Sequence, residues 1–180
     1  MAASGQAGWS ALPGLVAVIF VTVGTQLPFE RLVAAVDTWA ARQAPQPEVL
    51  AQVGAGRTDY RHVRCVRTLG GEDYAKAIAG ARLMIAHAGT GSILTALDRG
   101  VPVIVFPRDD KFGEHRDDHQ LQTARQMERM GLVTVAWSEA DLSALIEREL
   151  ATPASARKPR KRNTELVDFL SAWLKETLAR

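Results

Sequence analysis

Cys65 is the only cysteine among the 180 residues, so no internal disulfide can form and a packed core must hold the fold, as suits a reducing cytosol. Long apolar runs are also missing. The best candidate, Leu12 to Val23, has no Lys or Arg before it and is interrupted by Pro13 and Gly14, which argues against a signal segment and favours a first core strand. No window reaches the roughly 18 apolar residues that a membrane helix needs. Charge of one sign is scarce too, with 22 basic and 20 acidic residues giving +2. Arg157, Lys158, Arg160, Lys161 and Arg162 supply five of those positives, leaving −3 elsewhere, so the charge is a local cluster and gives no argument for nucleic acid. No Walker lysine follows the glycines, and Leu94 stands where a dinucleotide fingerprint needs its third glycine. No internal repeat is visible.

What is present is one α/β domain's worth of sequence. With 47% hydrophobic residues the chain can bury a single good core, and it is too short for two full nucleotide-binding domains. Its organising stretch is Leu83 to Phe106. An apolar run ending at His87 reads as a buried parallel strand, Gly89, Thr90, Gly91 and Ser92 as a small-residue turn, and Ile93 to Arg99 as a helix stopped by Gly100; Val103 to Phe106 is the next strand. Before it, Val16 to Val23 predicts a strand, Gly24-Thr25-Gln26 a turn, and Pro28 the first turn of a helix with Phe29, Leu32, Val33, Val36 and Trp39 on one face. Strands over Val49 to Val53 and Val63 to Val66 flank a flexible loop at Gly54 to Arg57, and a helix spans Glu72 to Ala81. Afterwards come a polar loop from Pro107 to Asp117, a helix from Asp118 to Met130 closed by Gly131, a strand from Leu132 to Trp137, and a helix from Glu139 to Leu150 capped by Ser138. Strands alternating with helices predict a doubly wound parallel sheet over 16–152. Residues 1–15 read as an extension, 153–163 as a basic linker and Thr164 to Leu178 as a final helix.

Two constellations carry chemistry. Gly89, Gly91 and Ser92 can offer backbone amides and a hydroxyl to a diphosphate at a helix start, with His87 donating to a phosphate oxygen; the alternative is an ordinary strand-to-helix turn with a satisfied histidine. The loop from Pro107 to Gln120 is dense in hydrogen-bonding groups directly after a core strand, which suits a polyhydroxylated ligand beside the phosphates, against the alternative of a solvated loop. Glu114 near His115 offers an acid or base. The spacing of His115, Asp118 and His119 matches no strong metal motif.

Three motifs in order carry a resemblance over about Ile19 to Leu150: Val-Thr-Val-Gly-Thr (Val21 to Thr25), His-Ala-Gly-Thr-Gly-Ser-Ile-Leu (His87 to Leu94) and Gly-Glu-His-x-x-Asp-His-Gln (Gly113 to Gln120). Together they resemble the C-terminal-domain family of GT-B glycosyltransferases. The likeness is to the donor-binding subunits of two-component UDP-sugar transferases of dolichol-linked oligosaccharide synthesis and, through Phe-Pro-Arg-x-x-Lys-Phe-Gly-Glu-His (Phe106 to His115), of bacterial exopolysaccharide and capsule synthesis. The resemblance implies a Rossmann-like sheet and inverting transfer of a hexose or hexuronic acid from a UDP-sugar to a lipid-linked saccharide. His87, Gly89, Gly91 and Ser92 would contact the diphosphate and Thr25 its side of the cleft, with Gly24, Thr90 and Arg108 in the same donor site. Gln120 with Asp118 or His119 would take the sugar hydroxyls. Thr95 stands where many relatives carry a glutamate for the ribose, and a neutral hydroxyl bonds there more weakly than a carboxylate. Glu114 and His115 are the catalytic candidates, unless a partner supplies the base. The resemblance further implies no cofactor, no metal, and a membrane-anchored acceptor-binding subunit. It would hold this chain at the inner face of the cytoplasmic membrane through residues 164–180, whose Leu166, Phe169, Leu170, Trp173 and Leu174 form an apolar stripe. A non-catalytic UDP-sugar-binding regulatory module and an epimerase fragment are the competing readings.

Overall fold

The computed structural model describes residues 18–114 and 119–153; the expected extension 1–15, His115, Asp118, most of the basic linker and the final helix lie outside the described residues. Six parallel strands, β1 (Val18–Thr22), β2 (Glu48–Gln52), β3 (Arg64–Val66), β4 (Ala81–Ala86), β5 (Val103–Val105) and β6 (Thr134–Val135), stand in the order β3-β2-β1-β4-β5-β6. Among the described residues four α-helices connect them, α1 (Glu30–Ala40), α2 (Gly71–Gly80), α3 (Thr90–Asp98) and α4 (His119–Arg129), and α5 (Glu139–Ala151) follows β6. The expected doubly wound sheet is therefore the observed one.

Alternation along the central strands sorts the core into two layers. From β1, Ile19 and Val21 face α1 and α5, where Leu32, Val33, Val36 and Trp39 meet Leu142 and Ile146. Phe20, between them in sequence, points the other way, into a cluster with Ile78, Ile93, Ala96, Ala124 and Met127 from α2, α3 and α4. Both faces of the middle strands are thus covered, which is why they read as unbroken apolar runs. All five residues expected on the inner face of α1 are buried.

Boundaries differ where tertiary contacts decide them. The helix expected to open at Pro28 begins at Glu30, because the carbonyls of Leu27 and Pro28 accept hydrogen bonds from the Arg108 guanidinium and hold that segment as a loop. The helix expected from Ile93 begins three residues earlier, at Thr90: Gly89 is extended and caps it, and Ile93 N donates to Gly89 O at 3.2 Å. Small residues with weak helix preference cost little there, since the first-turn N–H groups have no intrahelical partner in any helix. The last strand shrinks from six expected residues to Thr134–Val135, an edge strand paired on one side only, with the three-residue β5. Gly100 and Gly131 stand just past α3 and α4, where their stop signals placed them. Ser138 caps α5 as expected, its Oγ accepting from Asp141 N.

Candidate functional site

In the observed order β1 and β4 are neighbours, and the chain runs outward from them in both directions, so the crevice beyond their carboxyl ends is the switch point of the sheet. A cleft of about 720 Å³ opens there. Its floor is Thr22, Val23, His87 and Ala88 at the strand ends; Gly24 to Leu27 form one wall, Gly89 to Ser92 and Thr95 of α3 another, and His119, Gln120 and Thr123 of α4 a third. Gly24, Thr25, His87, Gly89, Thr90, Gly91, Ser92, Thr95, Arg108, His119 and Gln120, all named from sequence, are brought together around this one space.

The imidazole of His87 is seated by two glycines. Its backbone N donates to Thr22 O at 3.2 Å, continuing the β1–β4 ladder past the strand end. A Cβ on Gly24 would lie 2.7 Å from His87 Cε1 and Nε2, and one on Gly89 would lie 2.0 Å from Nε2. Gly24 also adopts φ +82°, a conformation that side-chain-bearing residues rarely take. Gly91 differs: a Cβ there meets nothing within 4 Å, so its backbone borders open cleft.

The start of α3 is left open in a way that the starts of α1, α2 and α5 are not. Ser138 caps α5, and Glu139 and Asp141 oppose its dipole; Glu72 and Asp73 do the same in the first turn of α2. At α3 no side chain caps and no acidic residue stands in the first turn. The N–H groups of Thr90, Gly91 and Ser92 therefore present a partial positive charge to the cleft, a geometry that suits an anion. Among the described lining residues none is acidic and Arg108 alone is permanently charged. Nearby, Tyr74 Oη reaches Ser92 Oγ at 3.5 Å, while Thr95 Oγ1 donates to Gly91 O at 2.7 Å, turning that hydroxyl back onto its own helix.

The loop after β5 behaves differently from its sequence reading. Arg108 is 3% exposed, and its guanidinium donates to Val23 O (2.9 Å), Leu27 O (2.6 Å) and Pro28 O (2.6 Å), so both terminal nitrogens are tied to the β1–α1 loop. Burial pulls this group below its ordinary value, against a smaller opposing effect of Glu114. Its backbone N donates to Gln120 Oε1 at 3.2 Å. Glu114 does not line the cleft. Its two carboxylate oxygens accept from Arg31 Nε and Nη2, each at 2.7 Å, and from Asp109 N at 3.0 Å. Arg31 is in turn stacked over Phe106 and Phe112, 4.3 and 4.6 Å from the ring centroids. A carboxylate held this way pins the loop to α1 and is poorly placed to take a proton from a substrate in the cleft. Among the described residues no group of three or more His, Cys, Asp or Glu side chains could hold a metal ion.

Sequence reasoning missed the wall nearest β2. Gln52 is 4% exposed, and its Oε1 accepts from Leu69 N at 3.1 Å; with Leu69, Gly71 and Tyr74 it closes the cleft on that side. The available signal was an amide ending an otherwise apolar strand at the edge where ligands bind.

The family described as Glycosyltransferase family 28 C-terminal domain matches residues 18–172. Over 123 residues, 62% of this chain and 60% of that protein, the sequence is 32% identical to UDP-N-acetylglucosamine transferase subunit ALG13 of Yarrowia lipolytica. Over 140 residues, 71% of this chain and 39% of that protein, it is 34% identical to UDP-N-acetylglucosamine–N-acetylmuramyl-(pentapeptide) pyrophosphoryl-undecaprenol N-acetylglucosamine transferase of Thermus thermophilus. The chain thus spans three fifths or less of these relatives' lengths. Among solved structures, CalG4, the calicheamicin glycosyltransferase, superposes with a TM-score of 0.64 at 19% identity, covering 96% of this chain and 47% of that one, a likeness of fold.

Proposed function

The chain belongs to the glycosyltransferase family 28 C-terminal domain family, and from that premise we propose that it is the donor-binding half of an inverting sugar transferase. In this reading the cleft takes a UDP-sugar and a separate, membrane-anchored subunit presents a lipid-linked saccharide. The observation that carries the reading is the open start of α3 facing a cleft with no described acidic side chain, beside a histidine seated between two glycines. Charge builds on the diphosphate as the sugar leaves, and amides already aimed at it stabilise that charge without reorganisation. Both curated relatives carry UDP-N-acetylglucosamine or N-acetylglucosamine transfer in their names, which puts that sugar in the test panel beside hexoses and hexuronic acids.

Engagement of Glu114 by Arg31 supports a base supplied from the partner's side of the cleft. The word subunit in the ALG13 relative's name supports the two-component arrangement, and the Phe106 to His115 motif supports an exopolysaccharide or capsule setting. Among the described residues no helix is long and apolar enough to cross a membrane, and the apolar stripe at Leu166, Phe169, Leu170, Trp173 and Leu174 offers a docking element toward such a partner. Calorimetric titration with UDP and a panel of UDP-sugars tests the donor site: saturable binding is expected, and a folded protein with no affinity for UDP would overturn the proposal. Transfer that appears only when partner membranes are added separates the two-component enzyme from a non-catalytic UDP-sugar-binding module.

A further inference from the structure

Two arginines cross-link the same loop in different ways. Arg31 meets a carboxylate, that of Glu114, in a bidentate pair. Among the described residues the Arg108 guanidinium donates only to carbonyl oxygens, although it is 3% exposed and lies over the Phe29 ring at 4.6 Å. Buried cations are ordinarily paired with an anion, because carbonyl dipoles offset only part of the lost hydration. A neutral donor would suffice to tie two loops together. A full positive charge placed there, beneath a cleft whose described lining has no acidic side chain, adds something a cross-link does not need.

We propose that Arg108 is the positioning residue of this cleft, acting without touching the ligand: its guanidinium fixes the Val23 to Pro28 wall, its backbone sets Gln120, and its charge, which no carboxylate contacts among the described residues, attracts the diphosphate. The inference rests on the donor-binding reading and adds a role to it. The cleft is open to solvent, so salt weakens this attraction, but within a Debye length of roughly 10 Å at 0.1 M it still acts on an anion that the side chain itself does not contact. The bonds from both terminal nitrogens to the wall keep the charge in one place.

The test compares UDP binding by the full chain, Arg108→Lys and Arg108→Met over a range of ionic strength. Arg108→Met is expected to lose UDP affinity by about tenfold or more and to flatten its salt dependence, since the charge that salt screens is gone. Arg108→Lys keeps the charge but loses the fork, so it is expected to bind within about tenfold of the parent and keep the parent's salt slope. A merely structural role predicts the reverse pattern: Lys as damaging as Met, or Met with its slope unchanged, and either result overturns the inference. Should Arg108→Met fail to fold, Arg108→Lys and the parent still decide, because a parent whose UDP affinity ignores salt has no such charge at work. A parent that binds no UDP at all strikes the donor-binding reading instead.

Discussion

Gly89→Ala is expected to destabilise the fold and Gly91→Ala to stabilise it slightly, although the two glycines are one residue apart and both were read from sequence as one phosphate turn. The Gly89 Cβ would fall 2.0 Å from His87 Nε2, about 1 Å closer than Cβ contacts in real structures come, while at Gly91 there is nothing within 4 Å. The imidazole borders the cleft and can make room by swinging out into it. Overpacking of this kind costs about 1–3 kcal/mol, and the open cleft favours the lower end. In a chain of this size that lowers Tm by roughly 2–4 °C per kcal/mol, whereas Gly91→Ala, at the second position of α3, gains a few tenths up to about 1 kcal/mol in helix preference. Differential scanning calorimetry of both variants, and of Gly89→Ala in a His87→Ala background, measures this directly. Removing the ring should recover most of the Gly89→Ala loss. An equal loss with and without the ring would refute the reasoning, since the clash would then lie elsewhere.

Gly91→Val should fold like the parent but lose UDP affinity, because the new side chain fills open cleft; calorimetric titration with UDP checks it, and unchanged affinity would remove Gly91 from the site. Gln120→Ala should weaken UDP-sugar more than UDP, by about fivefold for one hydrogen bond, and equal losses for both would assign Gln120 to the wall through its bond to Arg108 N. Arg31→Ala and Glu114→Ala should each destabilise by about 2 kcal/mol, with the double variant little worse than either, in urea unfolding; additive losses would show that the pair contributes nothing as a pair. Burial, aided by Asp37, pushes the Cys65 thiol up to about 11, so at pH 8 roughly one molecule in a thousand carries the thiolate. Alkylation by iodoacetamide should therefore be slow in the native protein, accelerate as pH rises, and become fast at pH 8 only on denaturation.

Periodicity sufficed for the sheet and its helices because each central element buries a face that its own residues spell out. The apolar runs of β1 and β4 and the stripe of α1 needed no distant partner to be read. The glycines around His87 were legible as a ligand turn but not as the seat of an imidazole, because Gly24 and Gly89 meet only once β1 and β4 lie side by side. Polar loops were harder still. Glu114 lies 83 residues from Arg31, and Arg108 lies 85 from Val23, and nothing in local spacing says which of a loop's charged groups will face a ligand and which will be claimed by the fold. The outcome follows from cost: a cation in the loop after a central strand is drawn under the sheet edge, where it must find either a carboxylate or an array of carbonyls. Arg31 on α1 reaches the first and Arg108 is left with the second. The group with no carboxylate on its guanidinium is the one that lines the cleft, so beside the open start of α3 the site holds a full charge on a residue that the fold has immobilised, and only a comparison of Arg108→Lys with Arg108→Met separates its charge from its shape.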